Sequence, residues 1–125
     1  MWKKILLTIL VFVMVFPIAW LLSADTPLNR QLNDIFYPEP MHILAHLVLF
    51  AILAMLLRSI LPDPRAFWTA LLIVLVVAAG QEAFQLIYKA RAPGTPEVFD
   101  LAIDLIGAGM GWGVMTWIKK HRNQT

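Results

Sequence analysis

Three short groups of polar side chains sit at the edges of apolar runs. His42 and His46 are four residues apart, Glu82 and Gln85 three apart, and Asp100 and Asp104 four apart. In a helix each spacing puts both members on one face. Arg91 falls between the second and third groups. Carboxylates, imidazoles and an arginine together are the materials of acid–base chemistry, of a hydrogen-bonded headgroup site, or of an ion-pair network tying helices together. Two imidazoles at this spacing, with carboxylates available, are also zinc ligands in kind. No glutamate follows His42 directly, so the pair is not the metalloprotease helix motif. The spacing assigns no metal and no cofactor. Ser23 and Ser59 lie at the ends of apolar runs and cysteine is absent. Nucleophilic hydrolase chemistry and thiolate metal sites are therefore disfavoured, and no catalytic residue is assigned.

The elements that must position these groups are membrane-like. Of 125 residues, 60% are hydrophobic and 14% charged, with a mean hydropathy of +0.73. A soluble domain carries about 25% charged residues. The net charge of +2 gives no indication of nucleic-acid binding. The basic residues flank apolar runs and read as topology signals. No internal repeat or low-complexity tract is visible.

Four spans are expected, at about residues 5–22, 42–61, 66–86 and 100–118, since about 20 apolar residues cross a bilayer. The first follows Lys3 and Lys4. A signal peptide is the rival reading there, but Leu22 is large for its position before a cleavage site and the run is long for such a segment. Residues 23–40 are polar. Thr26-Pro27 suits an N-cap and first-turn proline, and Leu28, Leu32, Ile35 and Phe36 share a helical face, so a short helix on the membrane surface competes with an irregular loop. Pro62-Asp63-Pro64-Arg65 reads as a tight turn, and residues 87–99, with Pro93-Gly94, as a loop.

Four spans place both termini and the middle turn on one side. That side collects Lys3, Lys4, Arg58, Arg65, Lys119, Lys120 and Arg122, seven of the ten basic residues. The positive-inside rule makes it cytoplasmic. The polar ends of the second, third and fourth spans then meet in the outer leaflet. Glu82 and Asp104 lie about a turn or more inside their spans, where an ionisable group faces the bundle interior and finds a partner. Arg91 is the expected counter-ion, and Asp100 reads as a solvated acid at the interface. His46, Glu82, Arg91 and Asp104 are expected to form one hydrogen-bonded site.

Gly107, Gly109, Gly111 and Gly113 do not follow the spacing of a nucleotide loop, and no strand precedes them. At four-residue spacing they make two smooth stripes on the last span, where small residues let membrane helices approach closely. Ala79 and Ala83 offer a similar face on the third span.

Taken in order, these residues resemble the VanZ-like family of small membrane proteins over about residues 42–113. His46 matches that family's histidine, Glu82 and Gln85 its E-x-x-Q, Arg91 its arginine, Asp100 its aspartate, and Gly107 and Gly111 its glycines. His42 and Ile43 stand where the family has an acid and a lysine, and Asp104 replaces an asparagine. The resemblance implies a bacterial membrane protein whose namesake is linked to resistance to teicoplanin, a lipid-bearing glycopeptide antibiotic.

The expected molecule is an all-α, single-domain membrane protein. It is an antiparallel four-helix bundle in the bacterial cytoplasmic (inner) membrane, with cytoplasmic N- and C-termini. Its partners are the lipid bilayer and a lipid-linked component of the cell envelope, with no nucleic acid. His42, His46, Glu82, Gln85, Arg91, Asp100 and Asp104 form its polar cluster. An accessory or binding protein is the first reading; a membrane-embedded enzyme acting on an envelope lipid, or a structural subunit, are the alternatives. A C-terminal reporter enzyme that works only outside the cytoplasm should stay silent, and reporter activity would contradict the orientation.

Overall fold

The computed structural model describes residues 1–18, 25–36, 39–61, 63–90 and 92–123. Five α-helices are described: α1 (Trp2–Val13), α2 (Pro27–Phe36), α3 (Glu39–Ile60), α4 (Phe67–Lys89) and α5 (Thr95–Arg122). Among the described residues there is no strand. Helices α3, α4 and α5 are long and apolar enough to cross a membrane. The expected first span divides differently. α1 passes into a π-helical turn at Met14–Ile18. Pro17 has no N–H to donate, and a widened turn is one way a helix absorbs that loss. The rest of that expected span lies outside the described residues.

Local chemistry sets the boundaries. In α2 the Thr26 Oγ1 accepts the Asn29 N–H at 3.1 Å, so the segment after Thr26-Pro27 is a capped helix rather than a loop. Pro40 sits in the first turn of α3, where a missing N–H costs nothing. α4 closes on Ala90 in the left-handed region, φ 47°. α5 begins earlier than the expected residue 100. Gly94 is its N-cap, Pro96 lies in its first turn, and the Glu97 Oε2 accepts the Gly94 N–H at 2.7 Å. That is one arm of a capping box. Asp100 therefore lies more than a turn inside the helix, not at its edge.

The most extensive packing joins α3 to α5. His42 meets Asp100, His46 meets Asp104 and Arg58 meets Thr116, each pair 58 residues apart. A constant offset means that the two helices run parallel. α4 runs the other way. Phe67 at its start packs edge-on against Trp112, late in α5, while Glu82 near its end lies within electrostatic range of Asp100 and Asp104. Phe16 packs against Phe84 and Lys3 lies within electrostatic range of Lys119. Helix α1 packs against α3 and the π-helical turn against α4, and the start of α1 lies near the end of α5. Phe50, Leu53, Leu57, Val74 and Ala78 fill the centre. Leu44, Leu72, Val76, Ile106 and Met110 face outward, as lipid-facing residues do.

The α3–α5 seam is made of backbone. A Cβ at Gly107 would lie 2.6 Å from the Leu47 carbonyl oxygen, and one at Gly111 would overlap the backbone of Ala51. In lipid there is little hydrophobic gain from bringing helices together, so close van der Waals approach is what joins them. Gly109 and Gly113, expected as a second packing stripe, are exposed and have nothing within 4 Å of an added Cβ. A helix shows only one such face to one partner. Ala79 and Ala83 are exposed as well.

Gly111→Leu should force the two backbones apart. Overpacking commonly costs about 1–3 kcal/mol, and rigid backbone leaves little room to relax. The variant should accumulate poorly and melt earlier in detergent, while Gly109→Leu should match the parent. Equal melting of both variants would show that the seam is not where the structure puts it.

Candidate functional site

The seam aligns two helical faces at their N-terminal ends. On α3, His42 and His46 lie one turn apart, with ring centroids 4.5 Å apart. On α5, Asp100 and Asp104 lie one turn apart and opposite them. The His42 Nε2 is 3.2 Å from both carboxylate oxygens of Asp100. The His46 Nδ1 is 2.7 Å from Asp104 Oδ1. His42 is 36% and Asp100 16% exposed at the side chain, against 6% for His46 and 1% for Asp104. The cluster thus grades from a partly open outer pair to a sealed inner pair.

α4 supplies the third wall. Gln81, Glu82 and Gln85 are all buried. Glu82 lies within electrostatic range of His46, Asp100, Asp104 and Glu97. Four acids and two histidines therefore share one end of the bundle. Their hydrogen bonding is incomplete: Gln81 Oε1, Glu82 Oε1 and Asp104 Oδ2 are buried and have no hydrogen-bond partner among the described residues. Each buried acceptor left unsatisfied costs about 1–3 kcal/mol. Buried acceptors of this kind call for a donor or a positive charge.

His42, His46, Asp100 and Asp104 are in direct contact as two cross-helix pairs, and Glu82 stands close to them. Gln85 is buried on the same helix as Glu82, one residue short of a turn further on. Asp100, read from the sequence as solvated, is paired with His42. Arg91, expected as the counter-ion of Glu82, lies outside the described residues. Glu97 is missing from the sequence expectation, and Gln81, at the same polar end of its span as Glu82, is left out of the expected cluster. The signal for Glu97 is the capping spacing after Gly94 with Pro96 between. The signal for Gln81 is its position four residues before Gln85, on the same face.

A second polar centre lies at the other end of the seam. Arg58 is buried, donates to Thr116 Oγ1 at 3.0 Å and to the Leu61 carbonyl at 2.8 Å, and lies over the Trp112 ring. Lys119 Nζ donates to the Arg58 carbonyl at 2.6 Å. As a topology signal Arg58 would snorkel to the headgroups; instead it turns inward and bridges α3 to α5. The face shared with Thr116 is what turns it, since that hydroxyl and the end of α3 offer acceptors that lipid does not.

A family model described as VanZ/LLP1 matches residues 3–119. No curated protein and no solved structure matches the chain. The match runs over nearly the whole chain, including the N-terminal helix and every residue of the two histidine–aspartate pairs, and the chain belongs to the VanZ/LLP1 family.

Proposed function

We propose that this protein is an accessory component of the bacterial cell envelope, lying in the cytoplasmic membrane, whose polar cluster binds the headgroup of an envelope lipid. The observation that carries the reading is the set of buried acceptors without partners among the described residues, Gln81 Oε1, Glu82 Oε1 and Asp104 Oδ2. Buried acceptors call for donors. The acids Glu82, Glu97, Asp100 and Asp104 outnumber the histidines, so the headgroup is one rich in amines or hydroxyls, as an aminosugar or a carbohydrate is.

Orientation places the site. With the N-terminal segment as a fourth span and Lys3, Lys4, Arg65, Lys119, Lys120 and Arg122 in the cytoplasm, the cluster opens into the outer leaflet. Wall precursors and lipid-bearing glycopeptides act on that side. α2, with Leu28 and Ile35 exposed, then rests on the outer membrane surface beside the site. The family's link to teicoplanin extends the proposal: occupancy of this site alters susceptibility to such antibiotics.

A second reading rests on the His46–Asp104 pair. A carboxylate orienting an imidazole is the arrangement of a general base, and the enzyme would then act on the lipid it binds, with water or the substrate's own hydroxyl as nucleophile.

Glu82→Gln distinguishes these readings from a purely structural cluster. It keeps the shape and removes the charge. A hydrogen bond to a charged group contributes about 1.5–3 kcal/mol, so the variant should retain its co-purifying lipid about tenfold to a hundredfold less well by mass spectrometry. Its melting in detergent should match the parent, and it should no longer shift teicoplanin susceptibility when expressed. Unchanged lipid retention with lost stability would leave the cluster as a helix tie alone.

A further inference from the structure

We infer that His42, His46 and Asp100 form a binding site for a divalent transition-metal ion, zinc foremost, with Asp104 holding His46 in place for it. The inference goes beyond headgroup binding and does not rest on it, because the ligands are this chain's own and the ion can be tested with no lipid present.

Proximity is the first argument. One donor atom from each of the three residues lies within 4.8 Å of the others. In a tetrahedral site with bonds of about 2.0–2.1 Å, neighbouring ligand atoms stand about 3.3 Å apart. The His42 Nε2 stands 3.2 Å from each Asp100 oxygen. A charge-assisted hydrogen bond prefers one oxygen at about 2.7–2.9 Å. An even fork at 3.2 Å is closer to the edge of a coordination polyhedron than to a single strong hydrogen bond.

The second argument is the support behind His46. Its Nδ1 is 2.7 Å from Asp104 Oδ1. With Asp104 ionised its carboxylate accepts, Nδ1 donates, and the lone pair is left on Nε2 for a metal. Metal-ligating histidines are almost always held in this way through the other ring nitrogen. Asp104 is 1% exposed at the side chain, and its second oxygen, Oδ2, has no hydrogen-bond partner among the described residues. A buried, incompletely satisfied carboxylate behind a histidine is well explained by a positive charge in front of it.

Rigidity and access complete the case. The histidines lie on α3 and the acids on α5, and the two backbones are pressed together at Gly107 and Gly111. Donors on packed helices hold their geometry better than donors on loops. The partly exposed His42 and Asp100 give an ion a way in and leave a coordination position for water. Two imidazoles and a carboxylate, with no sulfur, suit zinc, cobalt or nickel; magnesium prefers oxygen alone. A doubly positive ion would also offset the four acids gathered at this end of the bundle.

The test uses the full chain without an affinity tag, purified in detergent and stripped with a chelator. Zinc chloride is titrated in against a zinc-sensitive dye, and cobalt chloride in parallel is followed by visible absorption. We expect one ion per chain, a cobalt spectrum with the strong bands of a low-coordinate nitrogen–oxygen site, and a zinc-dependent rise in melting temperature. His42→Gln and Asp100→Asn should each weaken zinc binding by tenfold or more and remove the rise. Because His42 is partly exposed, its variant should melt like the stripped parent, which separates lost binding from lost fold. His121→Gln, at the opposite end of α5, should bind like the parent. Zinc binding that survives both His42→Gln and Asp100→Asn, that is lost in His121→Gln, or that is absent from the parent overturns the site.

Discussion

The close approach of α3 and α5 over Gly107 and Gly111 is the contact on which the rest of the molecule depends. It is a contact of backbone on backbone, with Leu47 and Ala51 on the other side. In a soluble protein such a seam would be reinforced by the hydrophobic effect. Among lipid tails it is held by van der Waals contact and by whatever polar groups it aligns. Because the glycines fix both the distance and the register, side chains 58 residues apart meet at both ends of the seam: histidine with aspartate at one, arginine with threonine at the other.

The same contact explains how so many ionisable groups are tolerated in three apolar helices. A charged side chain facing hydrocarbon is expensive, by at least 2–4 kcal/mol on the more lenient scales. Here apolar residues such as Leu72, Val76 and Ile106 turn outward, and His46, Arg58, Glu82 and Asp104 turn inward. The polar groups act as cross-links between helices, yet the histidine–aspartate cluster keeps unmatched buried acceptors among the described residues. Arg58 donates to the Thr116 hydroxyl and the Leu61 carbonyl, while Asp104 Oδ2 has no hydrogen-bond partner among the described residues. That asymmetry distinguishes the Arg58 end of the seam, where donors meet acceptors, from the histidine–aspartate end, where buried acceptors stay unmatched.

Much of this was legible in the sequence. The apolar runs are long, and their polar residues crowd at defined ends, so the existence of the α3, α4 and α5 spans and the pairing of residues onto faces could be read from hydropathy and helical spacing. Partner choice could not. His42/His46 and Asp100/Asp104 each mark a face, but nothing local says that the two faces meet in parallel rather than each meeting α4. Only one of two glycine stripes can contact α3, and the spacing is the same for both. The start of α5 was missed because Pro93-Gly94 and Pro96 read as loop, although a proline in the first turn and a glutamate at the capping position are helix-start signals. Arg58 follows the basic pattern of a span end, and its inward turn depends on Thr116, far away in the chain.

His46 and Asp104 are one interaction across the α3–α5 seam. A double-mutant cycle with His46→Gln, Asp104→Asn and both together, read as unfolding free energy in detergent, measures it directly. Breaking one partner of a buried pair costs about 3–5 kcal/mol, so the second substitution should add little once the first is made, with a coupling above about 1 kcal/mol. Two single effects that simply add, within about 0.5 kcal/mol, would mean that the two residues do not meet and that the seam is wrongly placed.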